Sequence, residues 1–276
     1  MSQIEPHHIR IGREQVAGNG ELGRVFFIPG SSARTEALAE HLVDLQVFPS
    51  PRRLDVFIGR YERDGVSIDV GACPTGMGCP SLGIIVSELL ELGVRRLMRV
   101  GSAGSLQPGV HSGDLVITTG AIRDEAASDA YCSRDIPALA HPDWVRCLEA
   151  AASRHGMAER TYSGLVHTKD SLYGREFGLG PRADANRAYM HELRAMGVLA
   201  TEMESSHLFI LAAAHGARPR SLAQGQHGPE LIKAGSLLAV VGDEGVFDAD
   251  HKARPVEERA ILVALDAGLD LIALEH

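Results

Sequence analysis

Four short stretches of this 276-residue chain carry residue types that could do chemistry. Pro29-Gly30-Ser31-Ser32-Ala33-Arg34 follows the apolar run Arg24–Ile28. A strand that ends in a glycine turn and passes into a helix presents free backbone N–H groups, which suit an anion, and Arg34 adds a fork of donors. Arg99 interrupts a second apolar run and precedes Gly101-Ser102-Ala103-Gly104. An unpaired charge there would be costly, so Arg99 needs an anionic partner, either a protein carboxylate or a bound phosphate. Glu202 and Glu204 flank Met203 where a helix opens, and a buried glutamate in such a place could accept from a vicinal diol. Asp243 ends the apolar run Ser236–Val241, where acids of α/β active sites often stand. Each stretch alone also fits a structural role: a capped helix, an internal salt bridge, a carboxylate at a helix dipole, a turn-forming aspartate.

The chain between them must supply a scaffold. Short β-branched runs at 24–28, 56–60, 66–70, 96–100, 114–119, 161–167 and 236–241 predict strands. Helical spacing predicts a helix opened by Ser31 and Ser32 and running through Leu38, Leu42 and Leu45. Others are expected from Ser81 to Leu92 (stopped by Gly93), over 141–155, over 202–215, and from Pro255 in the first turn to Ile272. Residues 101–104 read as a turn, and 218–235, with its glycines and prolines, as an irregular loop. Alternating strands and helices imply an α/β domain whose parallel or mixed sheet is covered on both faces. One domain over 1–276 is expected, with residues 1–20 as an N-terminal arm.

Composition narrows the function. Acidic residues outnumber basic ones, 36 to 27, for a net charge of −9, which opposes non-specific binding to nucleic acid or anionic membranes. No apolar run approaches a membrane span, and the first residues lack a secretory leader pattern. Four cysteines without a CxxC pair fit a reduced, cytoplasmic setting. No histidine spacing suggests a metal site, and no GxSxG elbow, P-loop or GxGxxG fingerprint occurs.

PGSSAR at 29–34, TGMGCPS at 75–81, RVGSAGSLQPGVHSGDLVI at 99–117, KDSLYG at 169–174 and TEMESS at 201–206, in that order, resemble the nucleoside phosphorylase-I family. That family includes uridine phosphorylases and hexameric purine nucleoside phosphorylases, and uridine phosphorylases are the nearer pattern. The resemblance implies a three-layer α/β/α fold with a mixed, partly barrel-like central sheet. It implies phosphorolysis of a ribonucleoside to ribose 1-phosphate and free base, with inorganic phosphate as co-substrate and no cofactor. Gly30, Arg34, Arg99 and Ser102 match phosphate positions. Arg52, or Arg53 beside it, would serve the phosphate of a neighbouring subunit, and His8 the neighbour's ribose, which implies a homo-oligomer, commonly a hexamer built as a trimer of dimers. Met203 and Glu204 match ribose contacts. Arg175, with Glu202 and Asp243, falls in the region that meets the base. Arg175 stands where uridine phosphorylases usually carry glutamine, and an arginine cannot accept from a base N–H. Asp243 falls near the acid with which purine phosphorylases protonate the leaving base, so uridine leads and a purine nucleoside follows. A hydrolytic nucleosidase would not need Arg34 and Arg99, and a nucleoside-binding protein without turnover is a reading that Arg175 keeps open.

Overall fold

The computed structural model describes residues 5–216, 232–243, 246–247 and 250–275. All the strands among them belong to one sheet. Five of them close on themselves: β5 (Arg96–Ser105), β6 (Leu115–Asp124), β8 (Thr161–Lys169), β9 (Ala200–Glu202) and β10 (Lys233–Asp243). The ring shuts because β10 pairs in parallel with β5 as well as antiparallel with β6. From β5 the sheet runs outward through β1 (Val25–Phe27), β4 (Val66–Ala72), β3 (Val56–Arg63) and the edge strand β2 (Leu42–Phe48). Two short strands, β7 (Ala138–Leu139) and β11 (Val246–Phe247), add to β6 and β10.

Alternation along the strands divides the core in two. Phe26 and Ile28 join Leu82, Ile85, Leu89, Leu208 and Phe209 on one face. Val25 and Phe27 join Met98, Trp144, Leu148, Ile261 and Leu265 on the other. The first face is covered by α3 (Cys79–Leu92) and α6 (Ser205–Gly216), the second by α4 (Pro142–Arg154) and α7 (Asp250–Glu275). This is the three-layer arrangement with a partly closed sheet that the family resemblance implies. No helix among the described residues is long and apolar enough to cross a membrane.

Several local expectations need correction. After the short helix α1 (Arg13–Val16), the helix opened by Ser31, α2 (Ser32–Ala39), stops at Ala39, and Leu42 and Leu45 lie in β2 instead. Pairing with β3 overrides the helical spacing of Leu38, Leu42 and Leu45. Residues 101–104 are not a turn: β5 continues through them, with Gly101 to Ala103 in register with Leu238 to Val240. The 202–215 helix begins at Ser205, because Ala200–Glu202 is taken into the sheet as β9. Lys233, Ala234 and Gly235, expected in an irregular loop, are ladder residues of β10. Residues 218–231 of that loop lie outside the described residues. Pro255 falls inside α7, which begins at Asp250. A helix the spacing did not reveal, α5, spans Ala183–Ala195. Its buried side chains are only Met190 and Leu193, too narrow an apolar face to read.

Candidate active site

The tips of β5, β8, β9 and β10 and the loops after β1 and β4 enclose a cavity of about 270 Å³. Arg99 lies on its floor, 3% exposed, in mid-strand opposite Ser236. Its Nε donates to Glu202 Oε2 at 3.2 Å and its Nη2 to Glu204. Its Nη1 is buried and has no partner, and a Cβ placed on Gly30 would stand 3.9 Å from it. One arm of a buried guanidinium is thus left open beside the glycine turn, where an oxyanion would fit. The flanking carboxylates hold the Arg99 guanidinium above its ordinary range, although burial works against the charge.

Glu204 opens α6 and accepts the N–H of Gly78 at the start of α3. Gly78 has a φ of +86°, in the region where a side chain would be strained. Burial pushes the Glu204 carboxyl above the ordinary glutamate range, against the pull of Arg99. Glu202 is spent within the protein: its carboxylate accepts from Thr168 Oγ1, from the amides of Glu204 and Ser205, and from Arg99. It therefore positions Arg99 and the start of α6, with no acceptor left over for a base.

Arg34 sits in the first turn of α2, whose N-cap is Ser31. It pairs with Glu257 of α7 and reaches the Val100 carbonyl at 3.4 Å, while its buried Nε has no partner. Gly30, Arg34, Arg99, Ser102, Glu202, Met203 and Glu204 all line the one cavity.

Four expected site residues lie elsewhere. Arg175 is bound to Asp124 at 2.6 Å and Asn186 at 2.7 Å, and stacks 4.5 Å over Tyr189. Those bonds turn it away from the cavity, and the base-binding place expected of it is not where the structure puts it. Asp243 is 3.4 Å from His111 Nδ1 and lines a separate, wider depression with His191 and Arg194. His8 is held by Glu88 of α3, its Nδ1 2.7 Å from the carboxylate. Arg52 is exposed on the turn before β3, with Arg53 beside it on a surface recess. Neither His8 nor Arg52 lines the cavity.

Residues that sequence reasoning passed over complete the wall. Lys169, at the end of β8, is 2% exposed and holds Glu176 at 2.8 Å and Thr201 Oγ1 at 2.9 Å. Met77, Leu172 and Val241 supply apolar surface. A lysine closing a half-buried strand was the available signal.

Residues 24–223 match the family model described as the phosphorylase superfamily. The chain is 29% identical over 272 residues to the uridine phosphorylase of Haemophilus influenzae, covering 96% of this chain and 98% of that one. It is 33% identical to the uridine phosphorylase of Klebsiella aerogenes, over 79% of this chain and 84% of that one. The guanosine phosphorylase of Halorubrum lacusprofundi is 29% identical, over 90% and 94%. The crystal structure of uridine phosphorylase from Vibrio fischeri superposes with a TM-score of 0.75 at 25% identity, covering 96% of this chain and 98% of that one. With the buried Arg99, the glutamates paired to it and the closed sheet in place, the chain belongs to the phosphorylase superfamily.

Proposed function

We propose that the protein is a pentosyltransferase that cleaves a ribonucleoside with inorganic phosphate, uridine being the favoured substrate. The observation that carries this reading is the unpartnered Nη1 of Arg99, open beside Gly30 in the cavity that also holds Arg34, Ser102 and Glu204. Arg34, Arg99 and the groups around Gly30 and Ser102 would hold phosphate beneath the sugar. A phosphate oxygen attacks C1′, the C1′–N bond breaks, and the base leaves with its electron pair. Met203 and Glu204 take the ribose, Glu204 accepting from the 2′- and 3′-hydroxyls. Charge builds on an oxocarbenium-like sugar between the phosphate and the departing base, where prearranged groups lower the barrier. Phosphate is the only co-substrate the scheme needs.

His8 and Arg52 enter as a neighbour's residues in a homo-oligomer, a hexamer by the resemblance. In support, each lies outside its own cavity, His8 held by Glu88 and Arg52 exposed at the surface. Four free cysteines accord with a reducing, cytoplasmic setting. A purine substrate is the second reading, and the guanosine phosphorylase relative favours it. Asp243 does not, since it stands at the other depression.

The test is base release from uridine and from inosine, with and without phosphate. Uracil and ribose 1-phosphate should appear in equal amounts, and only with phosphate. Release without phosphate would establish hydrolysis instead, and turnover of inosine alone would move the assignment to purines.

A further inference from the structure

The strand β5 carries two close approaches three residues apart. A Cβ on Gly101 would lie 2.9 Å from Arg99 Nη2, and a Cβ on Gly104 would lie 2.9 Å from Glu176 Oε1. Both side chains rest against the strand because those positions are bare. At a rise of about 3.3 Å per residue the two contacts are about 10 Å apart. A nucleoside with its anomeric carbon near the Arg99 end would carry the edge of its base to the Glu176 end.

That far end is a built polar pair. Glu176 closes the single turn Leu172–Glu176 after β8, and its side chain is 9% exposed. Its Oε2 is 2.8 Å from Lys169 Nζ, which also donates to Thr201 Oγ1. The ammonium has a third proton beyond these two bonds, and the carboxylate has lone pairs beyond the one taken by Lys169. Leu172 and Val241 flank the pair in the same cavity. The neighbouring side chain, Arg175, is committed to Asp124, Asn186 and Tyr189.

We propose that Glu176, backed by Lys169, is the specificity-determining residue that reads the base, and that it selects bases carrying a ring carbonyl beside a ring N–H. This rests on the nucleoside reading given above. Uracil presents a 4-oxo group next to N3–H, and hypoxanthine and guanine present a 6-oxo group next to N1–H. The Lys169 ammonium donates to the carbonyl and the Glu176 carboxylate accepts the adjacent N–H. Cytosine and adenine present the reverse, an amino group beside a bare ring nitrogen. Against them the carboxylate faces a lone pair and the ammonium faces an amine, so the spare bonding sites of two buried charges, shut off from water by the base, go unmatched. One rule thereby admits both the pyrimidine and the purine that name the relatives, and rejects their amino counterparts.

The experiment is equilibrium binding by calorimetry of uridine, cytidine, inosine and adenosine to the whole protein without phosphate, so that no turnover is required. The oxo member of at least one pair should bind about 10²-fold more tightly than its amino counterpart. Glu176→Gln, whose amide both gives and accepts, should shrink that ratio to about tenfold or less. Glu176→Leu should lose the oxo nucleoside while still binding inorganic phosphate, which a general collapse of the site would not allow. Equal affinities in the unmodified protein, a ratio undiminished in Glu176→Gln, or no binding of any of the four would overturn the assignment. Oxo preference without phosphorolysis would sink the proposed reaction and leave the base reading standing; phosphorolysis without oxo preference would do the opposite.

Discussion

Arg99 stands out as an anomaly in the sequence itself. A guanidinium in the apolar run Leu97–Val100 demands anionic company, and the sequence left open whether protein or ligand supplies it. The answer is both: Glu202 and Glu204 take two arms and the third is free. Those partners lie about a hundred residues downstream and meet Arg99 only because β9 pairs with β5, which local pattern cannot reveal. Arg175 failed as a base contact for a related reason, since its partners are Asp124 at the end of β6 and Asn186 on α5, a helix the spacing hid. The same fork geometry makes a prediction. Arg99→Lys keeps the charge but cannot span two carboxylates and an oxyanion at once. Initial rates against phosphate concentration should show kcat/KM for phosphate lowered about 10²–10³-fold, the usual cost of one lost oxyanion donor. Unchanged phosphate kinetics would remove Arg99 from the site.

Helix α3 lay close to where its apolar spacing put it, because its buried face is broad and Gly93 stops it. Strand β2 did not, because leucines three apart serve a helix or an irregular edge strand equally well until a pairing partner is known. The tie between α3 and the N-terminal arm was also invisible. Glu88 accepts the amides of His7, His8 and Ile9 and the His8 ring, anchoring the arm from mid-helix. Burial alone would raise this carboxyl, but those bonds hold it below its ordinary value of 4.5. A carboxyl lowered on folding contributes stability that is present above pH 4.5 and is lost as pH falls through the folded value. Thermal unfolding of the unmodified protein should therefore weaken below pH 4.5 more steeply than that of Glu88→Gln. Hydrogen exchange at the amides of residues 7–9 should be faster in Glu88→Gln at neutral pH. Parallel pH profiles would show that the anchor contributes nothing.

For the molecule as a whole, the net charge of −9 argued against polyanions and said nothing of one small anion. The cavity explains how the two coexist, since Arg34, Arg99 and Lys169 are each held by a glutamate rather than left as a bare positive field. Closure of the sheet was implied by the family resemblance but not by local pattern, because β5 and β10 are separated by more than a hundred residues and their register is set only in the fold. If His8 and Arg52 act across a subunit boundary, two inactive proteins can repair each other. Arg52→Ala and Arg99→Leu protomers, dissociated and reassembled together, should recover activity that neither shows alone, because some mixed sites draw Arg52 from one chain and Arg99 from the other. No recovery in an assembled mixture would confine each site to its own chain. The five-strand ring has a final consequence. Arg99 and Ser102 are fixed in a closed ladder, whereas Glu176 stands on one short turn outside it. Exchange of that turn between relatives could redirect which heterocycle is released and leave the reactive end undisturbed, so that substrate range and bond-breaking machinery can diverge on separate clocks.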